Sequence, residues 1–142
     1  MATGFRTAER IEAPPEEVWA YLTDFHNAKD WMTGIEGLAQ TSPGPPALGT
    51  TLSFRARGKL RETCVTTLDP GKVIALTSAQ GGVTATYTYA VIPSGSGTDL
   101  RLQAVCEASG LWKLLHPLIV LAMKASDSGQ LARLKAAMAR RA

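Results

Sequence analysis

Cysteine and histidine are scarce in this sequence, and their scarcity excludes several kinds of site. The 142 residues include two cysteines, Cys64 and Cys106, and two histidines, His26 and His116. No CxxC pair and no Cys/His cluster is present, so we expect no metal site. Neither cysteine has a base beside it that would make it a nucleophile, and we expect two buried, reduced thiols.

A strong charge of one sign is also lacking. The 15 basic and 12 acidic side chains give a formal net charge of +3. This small excess, without aromatic residues interleaved among the basic ones, predicts no nucleic-acid partner. The Gly-Ser-Gly at 95–97 precedes a strand pattern rather than a helix, so it is typical of a hairpin turn and not of a phosphate-binding loop. No cofactor is predicted.

Long hydrophobic runs are missing. Charged residues interrupt the apolar ones throughout residues 1–17, so this segment lacks the core of a signal peptide. The most apolar run, Leu111 to Met123, contains Lys113 and His116 and is too short to span a bilayer. We therefore expect a cytoplasmic protein without an integral membrane segment, and leave peripheral membrane contact through this run open.

The composition that remains is that of a globular protein. Hydrophobic residues make up 45% of the sequence and charged residues 19%. A length of 142 residues suits one domain with one core, so we predict a single domain over 1–142. Neither a repeat nor a linker divides the chain, and the composition leaves a monomer and a homodimer equally open.

The middle of the chain alternates between apolar and polar residues, as half-buried strands do. The segment TTLSFRAR, at 50–57, places Phe54 on the apolar face. In VTATYTYAVI, at 83–92, Tyr87 and Tyr89 share one face and three threonines the other. LRLQAVCEA, at 100–108, puts Leu102 opposite charged residues. Tight turns separate these segments, which predicts an antiparallel meander with one apolar face.

Helical patterns stand at both ends of this strand region. PPEEVWAYLTD predicts a short helix over about 15–23, because proline and acidic residues suit a first helical turn. Everything after Gly110 predicts one long helix, in which Pro117 indicates a kink or a later start. This helix is the only element long enough to cover the apolar face of the sheet.

With this order of elements, the sequence resembles the START-like superfamily of helix-grip proteins, which contains polyketide cyclases, lipid-transfer proteins and relatives of pollen allergens. The resemblance covers essentially the whole chain. It implies an α+β helix-grip fold, with about six to seven antiparallel strands curved around a long C-terminal helix and two short helices after the first strand. The matching segments are IEAPPEEVWAYLTDFHNAKDW, LGTTLSF, TLDPGKVIAL, GSGTDLRL and LARLKAAM.

The resemblance also implies a function. It implies a cavity between sheet and helix that binds or transports a hydrophobic small molecule, such as a lipid, a sterol-like or a polyketide-like compound. The superfamily includes both enzymes and plain carriers, so the fold alone does not decide between them. A polyketide cyclase or dehydratase that uses the same cavity is the first alternative. A module that docks on a membrane or a partner protein is the second.

Candidate ligand-binding residues follow from the apolar faces and from the apolar half of the last helix. Large aromatic and aliphatic side chains there would line a cavity or close its mouth, although each would equally serve as core. The apolar half of the last helix has more apolar residues than one buried stripe needs. The candidates are Trp31, Phe54, Tyr87, Tyr89, Leu102, Trp112, Leu115, His116, Ile119 and Met123.

The sequence does not assign catalytic residues. For the cyclase alternative, one or two polar groups would move protons, and the candidates are Tyr87, Arg55 or His116. A second hypothesis places Glu62 inward beside Cys64, as a buried carboxylate with a perturbed pKa. The cluster Arg55, Arg57, Lys59 and Arg61 is interpreted mainly as a solvated basic hairpin, with an inward arginine that binds a ligand carboxylate as the alternative.

Overall fold

Seven strands form one antiparallel sheet in the computed structural model, which describes residues 2–32, 35–56, 58–80 and 82–141. The sheet order is β1-β7-β6-β5-β4-β3-β2, so the first strand pairs with the last. Tight hairpins link every consecutive pair from β3 to β7. The strands are β1 (Ala2–Ile11), β2 (Glu36–Gln40), β3 (Thr51–Ala56), β4 (Lys59–Asp69), β5 (Val73–Gln80), β6 (Val83–Ser94) and β7 (Gly97–Ala108).

The predicted alternation of β6 and β7 is confirmed. We call the side of the sheet that faces the helices its inner face. On β6, Tyr89 and Val91 are buried there, while on β7 every second residue from Leu100 to Ala108 is buried. Residues directly opposite each other on paired strands share a face, and Tyr89 stands opposite Leu102. Burial of this one face fixes the register of the sheet.

The β3–β4 hairpin shows which of its ionisable side chains point inward, and so tests the hypotheses of an inward Glu62 and an inward arginine. Thr63 and Val65 are buried on the inner face, so Glu62 points outward and is exposed, and its assignment as a buried carboxylate was wrong. Arg55 is likewise exposed on the outer face and does not reach the interior. Arg61 stands opposite Phe54 and therefore belongs to the inner side. The prediction for Arg57 lies outside the described residues.

The two cysteines are free and differ in burial. Cys106 is fully buried on the inner face, and this burial raises the pKa of its thiol, which favours the protonated, unreactive form. Cys64 lies on the outer side of β4 and is only half-buried, so the prediction of two buried thiols is right for one of them.

Two short helices follow the first strand, as predicted. Helix α1 (Pro15–Thr23) begins at a proline and buries Val18, Tyr21 and Leu22. A 3-10 turn at Phe25–Asn27 leads into α2 (Ala28–Trp31). These helices pack beside the C-terminal end of the chain and complete the cover of the sheet.

The C-terminal cover consists of two helices, α3 (His116–Asp127) and α4 (Gln130–Arg141). Residues Gly110–Leu114 form a 3-10 turn, and Pro117 occupies the first turn of α3. The later start that Pro117 indicates is confirmed. None of the described helices is long and apolar enough to cross a membrane.

Candidate functional site

A cavity of about 300 Å³ lies between the inner face of the sheet and the junction of α3 and α4. Strands β3 to β6 form its floor, the segment from the end of α2 into β2 forms one side, and the helix junction forms the roof. It is lined by Met32, Ile35, Leu38, Phe54, Ala56, Thr63, Leu76, Ser78, Ala85, Tyr87, Tyr89, Asp127 and Gln130.

Small side chains leave the space open. Ser78 and Ala85 face each other across β5 and β6, and Ala56 ends β3 near the same end of the sheet. Large residues at these positions would take up part of this space, as Leu76 and Tyr87 do at the next inward-facing pair along the same two strands. The alternation of small and large residues on the inner face therefore positions the cavity.

Polar groups converge at the end of the cavity below the helix junction. Asp127 ends α3 and Gln130 begins α4, so the two side chains flank the break between the helices. The Tyr89 hydroxyl donates a hydrogen bond to Gln130 Oε1 at 2.6 Å, and Gln130 Nε2 donates to Asp127 Oδ1 at 3.3 Å. The Tyr87 hydroxyl donates to Asp127 Oδ2. We call these four residues the polar cluster.

Burial sets the protonation behaviour of the polar cluster. It raises the pKa of the half-buried Asp127 carboxyl, while the hydrogen bonds from Tyr87 and Gln130 and the charge of Arg133 offset part of this rise. Burial, followed by the charge of Asp127, raises the pKa of both phenols above their ordinary 10.0. The phenols therefore stay protonated and donate, and Asp127 is the group of the cluster that titrates most easily.

Three residues predicted from the sequence lie in the cavity wall: Phe54, Tyr87 and Tyr89. Two others belong to the core behind it. Trp31 is buried with its ring edge-on to Tyr89, at a centroid distance of 5.6 Å and an interplanar angle of 88°, and so packs directly against that tyrosine. Leu102 is buried opposite Tyr89 on β7.

The predicted residues from 112 to 123 lie outside the cavity wall. Trp112, in the 3-10 turn at Gly110–Leu114, and Leu115, directly after that turn, are nearly half exposed. His116 is buried, with its Nε2 2.8 Å from the carbonyl oxygen of Cys106. Ile119 and Met123 pack against the core.

Sequence reasoning missed the polar half of the site. Asp127 and Gln130 form a polar break between an apolar helix and an amphipathic one, and this break was the available signal. The aliphatic wall of Met32, Ile35 and Leu38 was missed because it runs from the end of α2 into the five-residue strand β2, a segment too short to show periodicity.

A second groove, of about 640 Å³, lies between the end of β1, α1 and α4. Charged side chains border it, including Glu12, Glu17, Asp24 and Lys135. It is larger than the cavity, but among the described residues that border it the buried Tyr21 supplies one hydroxyl-bearing side chain, whereas four hydrogen-bonded polar residues converge on the cavity. The cavity is therefore the better candidate for a site that binds an apolar molecule.

Solved structures with the same fold are similar over nearly the whole chain. The aromatase/cyclase Zhui from Streptomyces sp. R1128 has a TM-score of 0.78 and 16% identity, covering 99% of this chain and 96% of its own. The protein TTHA0849 from Thermus thermophilus has a TM-score of 0.69 and 23% identity, covering 95% of this chain and 94% of its own.

Norcoclaurine synthase from Thalictrum flavum, solved with dopamine and hydroxybenzaldehyde, has a TM-score of 0.70 and 16% identity, covering 100% of this chain and 89% of its own. At these identities the likeness shows the helix-grip fold alone. No protein of curated function matches the sequence. The family described as polyketide cyclase / dehydrase and lipid transport, by contrast, matches residues 2–139. The chain belongs to this family.

Proposed function

We propose that this protein binds a small hydrophobic molecule that carries a hydroxyl group. The observation that supports this most directly is the polar cluster at one end of an otherwise apolar cavity. An apolar wall provides affinity by burial, and a few convergent polar groups fix the orientation of the ligand.

The size of the cavity favours a compact ligand. Ligand pockets in proteins commonly measure about 300–1,000 Å³, and 300 Å³ is at the lower end of this range. A ligand of one to three fused rings fits this volume better than a two-chain phospholipid. Within the ligand classes expected for this fold, compact aromatic polyketide-like compounds are therefore favoured over four-ring sterols and over bulk membrane lipids.

The hydrogen bonds of the polar cluster favour a ligand that donates. The protons of Tyr87 and Tyr89 are already given to Asp127 and Gln130, which leaves oxygen lone pairs to accept from a ligand. The carboxylate of Asp127 also accepts, and it repels an anion. A phenol or alcohol is therefore preferred over a carboxylic acid. Among the structural relatives, norcoclaurine synthase was solved with dopamine and hydroxybenzaldehyde, both aromatic hydroxyl compounds.

Native mass spectrometry of the purified protein, followed by extraction of any bound molecule, tests this proposal. We expect a stoichiometric small hydroxyl compound, or binding of one from a panel of sterols, phenols and fatty acids. Ala85→Phe fills the cavity from β6 and should abolish binding, whereas Ala90→Phe, on the outer face of the same strand, should preserve it. Equal binding by both variants would place the ligand elsewhere.

A second candidate, an enzyme of the cyclase or dehydratase type, is favoured by one observation. Asp127 has a raised pKa and shares a hydrogen bond with Tyr87 at the cavity wall, which is an arrangement suited to moving a proton to or from a bound ketone. If the protein is such an enzyme, it should turn over a poly-β-ketone thioester. Asp127→Asn should then lower kcat by at least about 100-fold. Ligand binding without turnover would identify a carrier.

A further inference from the structure

A row of leucines on the 3-10 turn and α3 is exposed. Leu111, Leu114, Leu118 and Leu121 have 83%, 79%, 64% and 64% of their surface accessible. We call them the leucine face. They follow one another at spacings of three and four residues and so form a stripe along one side of the helix. Neither α1 nor α2 covers them, although an apolar stripe on a helix normally packs against something.

The leucine face lies at the end of the sheet where the cavity residues are smallest. Because the strands are antiparallel, the end of β7, the β5–β6 turn and the β3–β4 turn all lie at this end. Trp112 packs on the β5–β6 turn, where a Cβ on Gly82 would meet its ring. The cavity residues Ala56, Ser78 and Ala85 stand within a few positions of the same turns. The face therefore borders the cavity.

Basic residues surround the leucine face, and acidic ones are absent from its segment. Between Glu107 and Asp127 the sequence has no carboxylate, while Lys113 lies between Leu111 and Leu114 and Lys124 comes three residues after Leu121. The β3–β4 turn at the same end of the sheet adds Lys59 and Arg61 around the exposed Leu60. A leucine stripe with flanking cations is complementary to a surface that has a negatively charged outer layer and an apolar interior.

We infer that the leucine face docks on an anionic lipid surface and holds the cavity rim against it. Exchange of the ligand with that surface rests on the proposed function, but docking itself does not. The leucines enter the boundary between headgroups and acyl chains, and the basic residues contact the anionic headgroups. A molecule that leaves the membrane at this rim would reach the cavity without crossing water.

Flotation with phosphatidylcholine vesicles, with and without phosphatidylserine, tests the docking. We expect the wild type to bind the vesicles that contain phosphatidylserine. Leu118→Asp removes an apolar contact with the lipid and adds a charge, so it should weaken this binding at least tenfold, on the order expected for loss of one apolar side chain. The matched control is Leu48→Asp, because Leu48 is 67% exposed in the loop at the opposite end of the sheet. It should bind as the wild type does.

The charge requirement is tested separately. Each of Lys59→Gln and Lys113→Gln should weaken binding about fivefold, the effect of about 1 kcal/mol per basic residue, and added salt should reduce the difference. Equal binding by Leu118→Asp and wild type, or no binding by the wild type, would overturn the inference. So would a stable dimer in light scattering that Leu118→Asp dissolves, since a second copy would then cover the face.

Ligand retention distinguishes this inference from the proposed function. Leu118 lies outside the cavity wall, so Leu118→Asp should keep its ligand in native mass spectrometry while losing the vesicles. Vesicle binding by a protein that binds no small molecule would support docking and contradict the proposed function.

Discussion

At the scale of single residues, the site depends on a carboxyl group that burial disfavours in its charged form. Asp127 ionises less readily in the folded protein than in the unfolded chain, despite the hydrogen bonds from Tyr87 and Gln130. The group therefore lowers stability at neutral pH while it provides a polar anchor in an apolar cavity. Residues that a protein retains at such a cost are frequently functional.

The first prediction concerns Asp127→Asn. Because the folded pKa lies above the ordinary 3.8, the wild type loses stability as the pH rises from about 3.8 through the folded pKa. Asparagine does not ionise. The melting temperature of the variant relative to the wild type should therefore rise with pH through this acid window and then level off. Thermal melts across the acid range measure it, with Asp99→Asn, on the outer face of β7 beside Arg101, as the control.

At the scale of secondary-structure elements, the C-terminal cover is assembled from a 3-10 turn and two helices. Pro117 lies in the first turn of α3, where backbone amides have no intrahelical acceptor, so the missing amide hydrogen of proline costs no hydrogen bond. The break after Asp127 turns the ends of α3 and α4 toward the sheet and brings both polar side chains onto the tyrosines of β6.

The second prediction follows from the position of Pro117. Pro117→Ala should change the free energy of unfolding by less than about 1 kcal/mol. The backbone amide in the first helical turn has no intrahelical partner, so neither proline nor alanine at this position loses a hydrogen bond. Ala122→Pro, at an exposed position in the middle of α3, should cost about 3 kcal/mol or more. Urea unfolding of both variants provides the comparison. A large loss for Pro117→Ala would show that the turn before α3 depends on the proline ring.

At the scale of the whole molecule, the sheet and its cover leave space that side chains do not fill. Core interiors are normally packed to the density of organic crystals, so an unfilled cavity lowers stability until something occupies it. A bound ligand would replace the missing contacts between β3–β6 and the helix junction.

The third prediction is therefore a ligand-dependent melting temperature. With free ligand at 100 times its Kd, the free energy of unfolding should rise by about 2.7 kcal/mol, which corresponds to roughly 10 °C for a domain of this size. Calorimetry with the compound identified by mass spectrometry measures the shift. In Ala85→Phe the same compound should leave the melting temperature unchanged, and an equal shift there would contradict binding in the cavity.

Much of the fold was determined by the sequence alone. Strict alternation in β6 and β7 identified Tyr87, Tyr89 and Leu102 as inward residues, because a side chain in a strand has only two directions. Pro117 marked a boundary within the last helical segment because its ring and missing amide act locally. Features of this kind depend only on neighbouring residues, so they can be predicted from the sequence without knowledge of the tertiary contacts.

Only the tertiary structure decided how the polar cluster is assembled. Asp127 meets Tyr87 across 40 positions, and Gln130 meets Tyr89 across 41, only because two helices end and begin above one part of the sheet. The exposure of Leu118 was likewise undetermined, since an apolar helix has the same pattern whether a neighbour covers it or not. Periodicity records which way a side chain points along its own element, whereas contacts between distant elements depend on how those elements pack.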